Sequence, residues 1–151
     1  MRRRLGIGVS VCAGGSQRKL PPATVEGAGA NPEIDVRAFV AGGRVLAAIE
    51  RRAPAGEWRT NVSGGAAARA LDLPPRWEEW AIRAAAAVGA DYAGVDLLPS
   101  NDGTAFVLEV NGIPGWEGLQ RATGIDVAGA IVAVMEARVQ KAAMTAEVQT
   151  P

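Results

Sequence analysis

Residues Asp91 to Gly118 read DYAGVDLLPSNDGTAFVLEVNGIPGWEG. The pattern is that of a β-hairpin: an apolar run from Tyr92 to Leu98, a turn holding Asn101, Asp102 and Gly103, and a second run from Thr104 to Val110 that ends in Asn111. Three oxygen-bearing side chains, Asp96, Glu109 and Asn111, interrupt these apolar strands. Strand side chains alternate between faces, so Glu109 and Asn111 are expected on one face together with Val107 and Ala105. A four-residue connection would set Asp96 opposite Glu109 on that face. Two carboxylates so placed repel by up to roughly 1 kcal/mol, and by more when desolvated. A positive partner between them is therefore expected.

Working outward, the hairpin leaves through Gly112, Ile113, Pro114 and Gly115, too rich in Gly and Pro to continue as strand. A short helical piece over Glu117 to Ala122 then ends near Gly124. Asp126 caps a long final helix whose apolar positions include Val127, Ile131, Val134, Met135 and Val139. Beyond Lys141 the tail is polar, and residues 141–151 are expected to fray.

Upstream of the hairpin lies another helix. Pro74 and Pro75 fit its start, Trp77, Trp80, Ala81, Ala84, Ala85 and Val88 its apolar stripe, and Gly89 its C-terminal cap. The spacing makes the tryptophans core residues rather than a base-stacking platform. Before it, Asp35 to Ala41, Gly42-Gly43 and Arg44 to Arg52 form a second hairpin with a two-glycine turn. Its second strand passes abruptly from apolar residues to Glu50, Arg51 and Arg52. The following Gly56, Glu57, Trp58, Arg59, Thr60, Asn61 and the pair Gly64-Gly65 suit the binding of phosphate or carboxylate oxygens. Order begins at Ile34. The Gly-, Ala- and Pro-rich stretch from Gly14 to Pro32 shows no apolar period and reads as loop, making residues 1–33 an irregular segment. Gly6 to Val11 is compatible with a strand. Arg2 to Arg4 before Leu5 to Ala13 imitate a signal peptide, but that apolar stretch is short and carries Gly6 and Gly8.

The chain has 151 residues, enough for one domain with a moderate core, and a formal net charge of zero. Zero net charge gives no global attraction to nucleic acid or to a membrane surface. With no histidine and a single cysteine, Cys12, it offers no Ser-His or Cys-His nucleophile system, no thiolate metal cluster and no internal disulfide. A cytoplasmic setting is expected. Oxygen-only ligands beside arginines favour hard cations, Mg²⁺ or Mn²⁺, completed by water and nucleotide phosphates. Two solvent-facing strands are the plain alternative for the same spacing.

The motifs DVRAFV, AAIERRAPAGEWRTN, AGVDLL, LEVNGIPGWEG and TGIDVAGAIV together resemble the RimK-like α-L-glutamate ligase branch of the ATP-grasp superfamily. The likeness covers Ile34 to about Ala137, roughly two-thirds of the chain. It implies an α+β fold, mainly antiparallel sheet with flanking helices, with residues 34–140 as the C-terminal lobe. It further implies that Asp96, Glu109 and Asn111 hold two Mg²⁺ or Mn²⁺ ions, with Glu109 shared. Asp35, Arg59, Thr60 and Asn61 match nucleotide-binding positions, and Arg51 or Arg52 reaches the γ-phosphate or the acyl phosphate derived from it. The implied substrates are ATP, a carboxylate acceptor and glutamate as amine donor. LGIGVSV resembles the strand after the family's glycine-rich loop, yet neither Lys19 nor Lys141, the two lysines present, stands where the family's phosphate-binding lysine would. The chain thus resembles the C-terminal portion of a ligase that acts with a separately encoded N-terminal lobe. An inactive remnant and a metal- or nucleotide-binding module without ligase activity are the other readings.

Overall fold

The computed structural model describes residues 5–7, 10–13, 16–19, 23–25, 34–52 and 67–148. In chain order the elements are β1 (Leu5–Ile7), β2 (Ser10–Ala13), β3 (Ser16–Lys19), β4 (Ala23–Val25), β5 (Ile34–Ala41), β6 (Arg44–Arg52), β7 (Ala67–Ala70), α1 (Pro75–Ala87), β8 (Tyr92–Pro99), β9 (Ala105–Asn111), α2 (Glu117–Thr123) and α3 (Val127–Val148). Among the described residues one sheet runs β3-β2-β9-β8-β5-β6-β7, and β1 pairs separately with β4. The five strands from β9 to β7 are antiparallel throughout; β2 joins β9 in parallel at Val11 and Val110. This is the expected α+β architecture. Within the segment read from sequence as irregular, residues 16–19 and 23–25 are short strands.

Helices cover both sides of the sheet because β5 carries apolar residues on both. Val36, Ala38 and Val40 point to one side, where they are buried with Ala81 and Ala85 of α1 and with Val95 and Leu97 of β8. Phe39 and Ala41 point to the other, buried with Ile49, Leu119 of α2 and Val127 of α3. Phe39 meets Trp116 edge-on, with ring centroids 6.4 Å apart at 89°, a favoured geometry for aromatic pairs. The two-glycine turn forms as expected. Ala41 pairs with Arg44, and Gly42 and Gly43 both take positive φ, 58° and 77°, the requirement of a tight two-residue hairpin turn.

The tryptophans of α1 divide their roles. Trp77 packs against the α1-side core and donates its indole N–H to the Gly103 carbonyl at 3.2 Å, which ties the helix to the β8–β9 turn. Trp80 instead lies under the Arg76 guanidinium, 4.9 Å from its ring centroid.

Helix α3 departs from expectation in two ways. It continues to Val148, where residues beyond Lys141 were expected to fray; Ala142, Ala143, Met144 and Ala146 are all adequate helix formers. Its apolar positions also part company. Ile131 and Val134 pack on the sheet, while Met135 and Val139 are exposed. An ion pair from Arg138 to Asp91 fastens the helix beside the start of β8. Among the described residues no helix is long and apolar enough to cross a membrane.

Candidate functional site

The β8–β9 hairpin sets Asp96 opposite Glu109 and Gly94 opposite Asn111, so the three polar side chains do share a face. The route to that register is not the expected one. Ser100 and Thr104 are joined by a hydrogen bond of 2.8 Å, and the Gly103 N–H reaches the Ser100 carbonyl at 3.1 Å. Gly103 has φ of 81°. That describes a three-residue turn ending in a left-handed residue, which alone would misplace Glu109. The ladder shifts between Leu97↔Val107 and Asp96↔Glu109, so Leu108 is an extra residue, a β-bulge that restores the polar register. Ala105 accordingly lies with Val110 on the α1-side core, and Val107 opposite Leu97, not beside Glu109 as strict alternation requires.

The positive partner is supplied by two guanidiniums. Arg37 stands opposite Asp96 and donates from Nε to Oδ1 and from Nη2 to Oδ2, both at 2.7 Å. Arg51 stands opposite Asp35 and donates from Nε and Nη2 to its two oxygens, both at 2.6 Å. Arg51 Nη2 also lies 3.0 Å from Asp96 Oδ2. Fork-on-carboxylate pairing of this kind is strong and geometrically demanding. Asp35, Arg51 and Asp96 are all buried. Burial alone would push the Asp96 carboxyl up, but the Arg37 hydrogen bonds and the Arg51 charge outweigh it and hold the pKa below its ordinary value. Burial likewise opposes the Arg51 charge, and the bonds to Asp35 with the charge of Asp96 overcome it, raising the Arg51 pKa. Glu109 goes the other way. Burial first, then the charge of Asp96, push its carboxyl above the usual value.

Beside this face opens a cavity of about 610 Å³ lined by Arg37, Arg51, Pro114, Trp116, Glu117 and Arg121, among others. Its rim depends on Gly94. A Cβ there would come 2.8 Å from the Pro114 Cβ and 3.6 Å from Arg37 Nε. Gly94→Ala is therefore expected to push out the Pro114 segment and destabilise the chain by about 1–3 kcal/mol, as overpacking does. A thermal unfolding midpoint equal to that of the parent would contradict this.

A hard cation asks for oxygen donors, and the donor set fits with a limited supply. Asp96 accepts three contacts from arginine, which leaves about one of its roughly four lone-pair positions. Asn111 Oδ1 accepts the Ile113 N–H at 2.9 Å and keeps one. Glu109 receives no hydrogen bond among the described residues. No group of three or more carboxylate, thiol or imidazole ligands assembles among those residues, so a cation here would need oxygens from a ligand, as Mg²⁺ sites on phosphates do.

A family model described as the RimK-like ATP-grasp domain matches residues 26–135. The chain belongs to the RimK-like ATP-grasp family. The probable alpha-L-glutamate ligase 1 of Shewanella amazonensis is 49% identical over 107 residues, 71% of this chain and 35% of that protein. The probable alpha-L-glutamate ligase of Trichodesmium erythraeum is 47% identical over 107 residues, again 71% of this chain and 36% of the relative. The chain thus spans about a third of the length of these relatives. Among solved structures, the ATP-grasp ligase PsnB with a precursor variant, Mg and ADP superposes with a TM-score of 0.60 at 23% identity, covering 88% of this chain and 46% of that one. The D-alanine–D-alanine ligase of Bacillus anthracis complexed with ATP gives 0.52 at 22% identity, covering 72% and 40%. At these identities the likeness is one of fold.

Within this RimK-like domain the expected site residues separate. Asp96, Glu109, Asn111, Arg51 and Asp35 share one face. Arg52 does not: as the next strand residue it projects to the opposite side, exposed, 3.4 Å from Glu50. Arg69 contacts the same Glu50 at 3.1 Å, and that bond, ahead of the other influences, lowers the Glu50 pKa. Asp35, expected at the nucleotide, grips Arg51. Arg59, Thr60 and Asn61 lie outside the described residues. Arg37 went unassigned in the sequence, although its alternation with Asp35 already put it on the carboxylate face.

Proposed function

We propose that this chain supplies the metal and phosphate face of an ATP-dependent carboxylate–amine ligase that adds glutamate. In that reaction the γ-phosphate of ATP passes to an acceptor carboxylate. The glutamate amine then attacks the acyl phosphate carbonyl, forming the amide, and phosphate leaves with the bond it held. The carrying observation is the cross-strand pair of Asp96 and Glu109 beside an arginine-lined cavity. The names of the relatives support the choice of glutamate.

Bound Mg²⁺ or Mn²⁺, two ions in this reading, would neutralise charge on the transferring phosphoryl group. Glu109, the remaining lone pair of Asp96 and Asn111 Oδ1 would hold them. Arg37 and Arg51 spend Nε and Nη2 on carboxylates, so their Nη1 groups are left for oxyanions in the cavity they line. The carboxylates thereby fix each guanidinium before substrate arrives, and preorganised charge of this kind needs no histidine. Arg59, Thr60 and Asn61 are the proposed nucleotide contacts. The rest of the ligase machinery, a phosphate-binding lysine included, is proposed to come from sequence outside these 151 residues, in a separate lobe.

The purified chain is expected to bind Mn²⁺ and Mg-nucleotide weakly in calorimetry and to release no ADP when L-glutamate is added. Absence of both binding signals would refute the ligase reading. Glutamate-dependent ADP release by the chain alone would refute the division of labour.

A further inference from the structure

Asn111 ends β9 immediately before Gly112, the one Asn-Gly step among the four asparagines of the chain. The other three are followed by Pro32, which has no N–H, by the β-branched Val62, and by Asp102, whose negative charge opposes loss of its own N–H proton. Gly112 carries no Cβ, so no side chain of its own crowds its backbone nitrogen. The fold adds a second feature. Asn111 Oδ1 accepts the Ile113 N–H at 2.9 Å, an Asx-turn in which the side chain closes back along the residue that follows it. The side-chain amide is thereby held along the Gly112 peptide, with a donor aimed at the oxygen on which negative charge develops when that amide is attacked. Asn111 and Gly112 are half-buried and Ile113 is 82% exposed, so water reaches the turn. Asp102-Gly103 is the internal contrast. Asp102 Oδ1 makes the same turn to the Thr104 N–H at 3.0 Å and also accepts the Thr104 hydroxyl at 2.6 Å. Those bonds hold its carboxyl below the usual value, and an ionised carboxylate is a poor electrophile with no amine to expel.

We infer that Asn111 is a site of self-modification by deamidation, with the Gly112 nitrogen as nucleophile and water as the co-reactant. The Gly112 nitrogen gives up its proton to water and bonds to the Asn111 Cγ. The bond from Cγ to Nδ2 breaks, and the nitrogen leaves with a returned proton as ammonia, which closes a five-membered imide. Water then opens the ring. Attack at Cγ yields aspartate, and attack at the main-chain carbonyl carbon yields isoaspartate; nothing is oxidised or reduced. Neither metal nor nucleotide takes part. Either product adds a negative charge to the face where Asp96 already lies opposite Glu109. The isoaspartate also lengthens the main chain by a methylene where Asn111 pairs with Gly94. The carboxylate face therefore changes its charge as the chain ages.

The test incubates the 151-residue chain in water enriched in heavy oxygen, folded and in urea, and maps its peptides by mass spectrometry. Heavy oxygen is expected to enter residue 111 at least about tenfold faster than any other asparagine, with the folded chain reacting within about tenfold of the unfolded one. Gly112→Val should slow the reaction by at least about tenfold in both states. Ile113→Pro removes the N–H that bonds to Asn111 Oδ1 and should lower the ratio of folded to unfolded rate. Protection of the folded parent beyond tenfold overturns the assignment, as does a rate that Gly112→Val leaves unchanged or a ratio that Ile113→Pro leaves unchanged. Melting curves show that each variant is folded. Should Gly112→Val fail to fold, the parent's own ratio and the Ile113→Pro result still decide.

Discussion

Arg51→Met is expected to destabilise the chain by about 3–5 kcal/mol, the range for removing one partner from a buried charge cluster. Arg51 is exposed by only 4%, and its guanidinium is shared between Asp35 and Asp96, each 7% exposed. Methionine fills much of the same volume, so little of the loss would come from a cavity. It would come from the loss, in low dielectric, of the guanidinium that bridges Asp35 and Asp96, of which Asp96 still has that of Arg37. Acid separates this account from a packing defect. The parent's Asp96 has a lowered folded pKa, so the stability it contributes is present above the unfolded value and is lost as pH falls through the folded one. In the variant Asp96 is no longer held down by the Arg51 charge and takes up its proton at higher pH than in the parent, so the deficit should be largest near neutrality and shrink as pH falls. Urea midpoints at several pH values decide it. A deficit independent of pH would place the damage in packing instead.

Much of this cluster was legible in the sequence, because it depends on alternation within single strands. Asp96 on β8 lies opposite Glu109 as alternation leads one to expect, and the same alternation places Asp35 and Arg37, two apart on β5, on one face. The two-glycine turn, α1 and the start of α3 at Asp126 were legible for the same local reasons; the Gly129 N–H does bond to Asp126 Oδ1, at 2.9 Å. What could not be read was whatever depends on pairing between strands. The bulge at Leu108 carries no local signature, and without it Val107 and Ala105 fall on the wrong face. That Arg37 would grip Asp96 follows from β5 lying next to β8, a neighbour 59 positions away in sequence. The exposure of Met135 and Val139 likewise reflects where α3 leaves the sheet, which a 3.6-residue period does not encode. Adjacency in sequence makes Arg51 and Arg52 look equivalent, but the pleat sends Arg52 to the other side, beside Glu50.

Glu109→Gln should do two opposite things, and their combination distinguishes a site from a scaffold. Its folded pKa is raised, by burial first and then by Asp96. Between the ordinary carboxylate value and the raised one, the native state holds more protons than the unfolded chain, so stability falls as pH rises through that window. At neutral pH the ionised Glu109 is therefore a liability in the metal-free protein, and the neutral amide of the same shape removes it. The metal-free variant should melt higher than the parent near pH 7, with the difference disappearing in acid once Glu109 is protonated. Its Mn²⁺ affinity should fall by on the order of 100-fold or more, since even residues that merely support a metal ligand cost 10–100-fold when changed. For the same reason the parent's Mn²⁺ affinity should climb with pH through the Glu109 titration, and that of the variant should not. Calorimetric Mn²⁺ titrations beside melting curves for both proteins measure each effect. A stabilised variant that still binds Mn²⁺ like the parent would make Glu109 a bystander to the cation; a destabilised one would show that its charge is already satisfied within the fold.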